Sequence, residues 1–121
     1  MTASSLDPAV LASLIELADG DKSFLDELLA TYLEQSVETI EALRIALEQS
    51  DMTTARREAH RLAGASLNIG ATAAASLCRR IEDAALRRSE PEMQDCLIRL
   101  VVEVAAVRAE SGARATPPAK S

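Results

Sequence analysis

An all-α fold, an antiparallel four-helix bundle with a short N-terminal cover helix, is what this sequence predicts. Three observations carry the prediction. Ala, Leu, Glu and Arg are abundant, the residues that lose least on entering a helix, and no alternating strand pattern occurs. Apolar residues recur at steps of three and four through most of the chain. The interruptions are short, and short connections between long helices favour antiparallel neighbours. At 121 residues and 48% hydrophobic content, the chain fits one domain with a modest single core.

Each element follows from its punctuation. In "LDPAVLASLIELADG", Asp7 is a candidate N-cap, Pro8 sits in the first turn and Gly20 closes the segment, with Val10, Leu11, Leu14 and Leu17 as its apolar positions. The second helix runs from about Asp21 to Gln49 on the stripe Leu25, Leu29, Tyr32, Ser36, Ile40, Leu43 and Leu47, with a possible bend at Gln35–Ser36. Asp51 caps a third helix over about 52–67, and Asn68 with Gly70 stops it. The fourth covers about 72–87 with Ala74, Leu77, Cys78, Ile81 and Ala85 on one face. "SEPE" then offers Ser89 as N-cap, Pro91 in the first turn and Glu92 at the capping-box position. The fifth helix is expected to bury Met93, Leu97, Leu100, Val101, Val104 and Val107, and residues 111–121 read as a disordered tail with nothing to bury.

Charge narrows the partners. The net charge is −6, and residues 1–51 hold eleven acids against Lys22 and Arg44. Such a body argues against nucleic acid or anionic membrane, which both reward cationic surface. No apolar run is long enough to span a membrane, and the N-terminus lacks a signal-peptide pattern, so the expected setting is the cytoplasm. Cys78 and Cys96 fall at apolar helical positions without metal-ligand spacing and read as buried thiols; no metal site is expected.

The informative stretch is "AHRLAGASLNIG", which holds the single histidine of the chain four residues before a glycine. On a helical wheel Ala55, Ala59, Leu62 and Ser66 cluster within about 60° and define the core side, while His60 lies roughly 120° away. Arg57, His60, Gly64 and Leu67 share an outward stripe, with Ala63 on its inner flank. A glycine inside a helix costs about 1 kcal/mol relative to alanine. Its place one turn from an exposed imidazole suggests open access for a second protein. Exposed imidazole, with an ordinary pKa of about 6.5, is a competent neutral nucleophile near pH 7.

"AHRLAGASLNIGA" resembles the signature of histidine-containing phosphotransfer domains, roughly His-x-Leu-Lys-Gly-Ser/Ala-Ser followed by a Gly-Ala pair. His60, Leu62, Gly64, Ala65, Ser66, Gly70 and Ala71 match in order and spacing, and "LCRRIE" (Leu77, Cys78, Ile81, Glu82) is similar to the family's next helix. The likeness spans about residues 5–108 and makes residues 1–110 the expected phosphotransfer domain. It implies a phosphorelay intermediate: His60 accepts a phosphoryl group from a receiver-domain aspartate and passes it to another receiver. The implied partners are receiver domains of response regulators or hybrid histidine kinases. A divalent metal would belong to the receiver, with no cofactor held by this chain, which shows no ATP-binding glycine loop. Ala63, Gly64 and Leu67 are the expected docking positions, and the chain reads as a monomer. One departure is evident: the family's usual lysine three residues after the histidine is Ala63 here. Arg57 and Arg56, one turn before His60, are the candidate phosphate neighbours. Ala63 equally suits an alternative, a degenerate helical adaptor that binds a receiver or kinase without carrying phosphate. A di-metal bundle would need Glu-x-x-His pairs, and the sequence has none.

Overall fold

The computed structural model describes residues 5–115 and contains five helices: α1 (Pro8–Leu17), α2 (Lys22–Glu48), α3 (Met52–Asn68), α4 (Thr72–Leu86) and α5 (Glu90–Ala115). No strand occurs among the described residues. Helices α2 to α5 form the antiparallel bundle, each packing on the next and α5 returning to α2, so α3 and α5 are diagonal. Helix α1 lies against α2 as the expected cover. None of the described helices is long and apolar enough to cross a membrane.

The aspartate caps expected at Asp7 and Asp51 form, and Asp21 caps α2 in the same way. Ala9 N donates to the Asp7 carboxylate at 2.9 Å, Ser23 N to Asp21 at 3.0 Å and Thr54 N to Asp51 at 3.1 Å. Each satisfies an amide that the first helical turn leaves without a partner. Three turns between the bundle helices and their neighbours share one closure, an amide reaching back across the last helical turn. Asp51 N donates to Ala46 O, Ala71 N to Ser66 O and Ser89 N to Ala84 O, each at 2.8 Å. That closure needs a left-handed residue. Gly70 supplies it at φ +81°, whereas Ser50 and Arg88 adopt φ +53° and +57° without being glycine.

The core is aliphatic around α2 and α5, where Leu25, Leu29, Leu43, Met93, Leu100 and Val107 are fully buried. Between α3 and α4 it changes character. Ala55, Ala59 and Ala63 on α3, with Ala74, Ala75, Cys78 and Ala85 on α4, are all buried. Small side chains let two helices approach closely, and that brings the outer flanks of α3 and α4 within side-chain reach of each other. One buried polar contact crosses the aliphatic part: the hydroxyls of Tyr32 and Ser66 meet at 2.7 Å, and Ser36 Oγ donates to Tyr32 O at 2.8 Å. These bonds explain how two serines and a phenol can sit in the core without cost from stranded polar atoms.

Several expectations are corrected. Leu17 is 81% exposed because Leu11, Leu14 and Ile15 are the α1 residues that meet the core. Val101 is 47% exposed, on the solvent side of the face that Cys96, Leu97, Leu100, Val104 and Val107 bury. Ser89 O accepts from Met93 N as a cap carbonyl should, but the Glu92 carboxylate turns to Arg87 Nη2 at 2.8 Å. Helix α5 continues to Ala115, past the expected start of the tail, since Glu110, Ser111, Ala113 and their neighbours include enough good helix formers to carry Gly112. The rest of the expected tail, residues 116–121, lies outside the described residues.

Candidate functional site

The α3–α4 hairpin builds the site. Ala55, Ala59, Leu62 and Ser66 fix the inward face of α3, and the opposite flank presents His60 with its side chain 77% exposed. From α4, Glu82 leans across the alanine-lined interface and places Oε2 at 3.0 Å from His60 Nδ1. A carboxylate can only accept, so Nδ1 carries the hydrogen, and in the neutral ring the lone pair is then on Nε2. The glutamate, itself about three-quarters covered at 26% side-chain exposure, thereby selects the tautomer and steadies the ring.

An open cleft of about 430 Å³ adjoins the imidazole, lined by Thr53, Arg56, Arg57, His60, Arg61 and Glu82. Arg56 and Arg57, the expected phosphate neighbours, therefore line the same cleft as the imidazole, and Arg61 joins them. Arg57 and Arg61 share the Glu58 carboxylate at 3.9 and 3.6 Å. Arg56 takes part in none of the ion pairs among the described residues. In a chain of net charge −6, α3 is a cationic exception: three arginines against Glu58.

On the other side of His60 the surface is bare. A Cβ built on Gly64 would meet nothing within 4 Å, and Leu67 is 43% exposed. Ala63 does not belong to this surface. It is 3% exposed and part of the core, because the α4 alanines close over the flank that the wheel of α3 alone leaves open. Of the three expected docking positions, Gly64 and Leu67 are exposed and Ala63 is a packing residue. Glu82, given no role by the sequence reading, is the residue that reading missed. Its signal was available only through hairpin register: His60 and Glu82 lie at comparable distances either side of the turn at Gly70.

The geometry defines a class first: a helical bundle presenting one oriented imidazole on its surface, beside cations and bare backbone. Comparison with known proteins agrees. The Hpt domain family matches residues 27–110, and the chain belongs to that family. It is similar in structure to histidine-containing phosphotransfer protein B (HptB) from Pseudomonas aeruginosa PAO1, with a TM-score of 0.85 and 31% identity over 93% of this chain and 96% of that one. It is also similar to the HPT domain of a sensor hybrid histidine kinase from Shewanella, with a TM-score of 0.69 and 27% identity over 94% and 98% of the two chains. No curated protein sequence matches significantly. Membership supports a phosphotransfer role in two-component signalling, in a family of phosphocarriers rather than enzymes.

Proposed function

We propose that this chain is a phosphorelay intermediate whose His60 Nε2 accepts a phosphoryl group from a receiver-domain aspartate and passes it to a second receiver. The observation that carries the reading is the His60 Nδ1–Glu82 contact at 3.0 Å on an otherwise exposed ring. In the forward step the Nε2 lone pair attacks phosphorus. The new N–P bond forms as the acyl O–P bond breaks, and the aspartate leaves with the electron pair as carboxylate. No proton has to move, because Nε2 carried none. The ring gains positive charge while keeping its Nδ1 hydrogen, and the Glu82 carboxylate stabilises it there. Reversal against another aspartate hands the group on.

Positioning and charge neutralisation are the remaining requirements. Arg56 and Arg57 serve as phosphate neighbours from the cleft, and guanidinium suits phosphoryl oxygens. Gly64 and Leu67 form the floor on which the receiver docks. The divalent metal and the acyl phosphate come with the receiver, and this chain holds no cofactor of its own. The test is His60→Gln with the full chain and a 32P-labelled phospho-receiver. Wild type is expected to take up acid-labile, base-stable phosphate, and the variant, with unchanged helical content, none. Label on the variant refutes the site. An unlabelled wild type that still binds the receiver establishes the adaptor alternative instead.

A further inference from the structure

We propose that Arg79 meets the phosphoryl group from the Gly64 side of His60, completing a cationic surround that α3 alone leaves one-sided. This rests on the phosphorelay reading above. All the cations of α3 precede or adjoin the histidine: Arg56, Arg57 and Arg61. After Arg61 the helix runs Leu62 to Asn68 without a charge. The arriving group is anionic, and Glu82 sets a second negative charge against the ring it must reach. A cation close to Glu82 offsets that repulsion, and its best position is on the uncharged side.

Helix register supplies one. Helix α4 runs antiparallel to α3 after the short turn around Gly70, and the His60–Glu82 contact fixes the alignment. Moving from Glu82 towards the start of α4 therefore moves from His60 towards Gly64. Arg79 is one turn in that direction, at the i,i+3 spacing that makes helix neighbours. It is exposed and takes part in none of the ion pairs among the described residues. Position 63 cannot supply the charge, since Ala63 is closed into the core. The adjacent Arg80 points elsewhere. It lies about 160° from Glu82 on the wheel, and its charge acts on the Cys96 thiol of α5. Two neighbouring exposed arginines thus differ in one respect, which flank of α4 they occupy.

That difference makes the test. Single-turnover transfer to the full chain is measured from a saturating phospho-receiver, and separately from phosphoramidate, a small donor with no protein surface. Arg79→Gln is expected to slow both reactions about tenfold, and Arg79→Lys to recover most of the loss. Arg80→Gln is expected to match wild type. Melting curves confirm that each variant is folded. The proposal is overturned by an Arg79→Gln variant as fast as wild type, by an equal loss in Arg80→Gln, which would mark a general charge effect, or by a deficit seen only with the receiver, which would mark protein docking. A wild-type chain that accepts phosphate from neither donor overturns the phosphorelay reading and this one together, a result distinct from a competent wild type with an indifferent Arg79.

Discussion

Replacing Tyr32 with phenylalanine deletes one oxygen and tests what holds α3 in its rotation. The Tyr32 and Ser66 hydroxyls meet at 2.7 Å between residues that are 2% and 0% exposed. Ser36 keeps its partner in the variant because it donates to the Tyr32 carbonyl, which the substitution leaves in place. The single orphan is the Ser66 hydroxyl. Leaving a buried polar group unpaired costs about 1–3 kcal/mol, and a domain of this size loses roughly 4 °C of Tm per kcal/mol. Tyr32→Phe is therefore expected to melt about 4–12 °C lower by circular dichroism. Adding Ser66→Ala removes the orphan, so the double variant is expected to recover about 1 kcal/mol relative to the sum of the singles. pH supplies a second reading. Burial raises the Tyr32 pKa above its ordinary value of 10.0. The unfolded chain then ionises first, so the contribution is full below about pH 10 and is lost as pH rises towards the raised native value. The variant lacks that part of the alkaline loss. A Tyr32→Phe protein with unchanged Tm and no coupling to Ser66 would refute the claim that this hydroxyl pair fastens α3 to α2.

Other outcomes can be checked alongside. Gly64→Ala is expected to raise the unfolding free energy by about 0.5–1 kcal/mol in urea titration, because the position is helical and its Cβ enters open space. Gly64→Glu is expected to fold yet lose transfer from a phospho-receiver; transfer at the wild-type rate would contradict close approach at that face. Gly70→Ala is expected to cost about 2 kcal/mol or more, since alanine is strained at φ +81° and its Cβ would lie 2.9 Å from Val10 Cβ. An unshifted denaturant midpoint would count against that packing. Cys78, buried with its thiol pushed up to about 12 by desolvation and then by the Glu82 charge, is expected to resist alkylation at pH 8 until the protein is unfolded.

The helices were legible because their determinants are local. Asp7, Asp21 and Asp51 act on amides two or three residues away, and the α3 wheel alone turned His60 outward. Features that depend on a second helix were not. Ala63 sat on the flank of its own wheel and became core only when the α4 alanines closed over it. Glu82 had a place in the "LCRRIE" likeness but no role, because only hairpin register sets it against Nδ1. Ser50 and Arg88 take left-handed conformations that residue type would assign to glycine, because the 2.8 Å closures of Asp51 N and Ser89 N offset the strain. Leu17 and Val101 fit apolar spacing but had no neighbour to cover them.

His60 and Glu82 stand on adjacent arms of one hairpin, joined through a turn of three residues, 69–71. The His60–Glu82 distance is consequently governed by nearby stretches of chain, with the start of α1 bracing the same turn through Asp7 N, which donates to Gly70 O at 2.8 Å. Lengthening the α2–α3 or α4–α5 connection would reshape the surface around the site while the His60–Glu82 pair keeps its spacing. A single residue inserted at 69–71 would slide the two arms past each other and separate the ring from its carboxylate. In the proposed phosphorelay role, diversity in partner choice and constancy in chemistry would therefore be inherited through different loops.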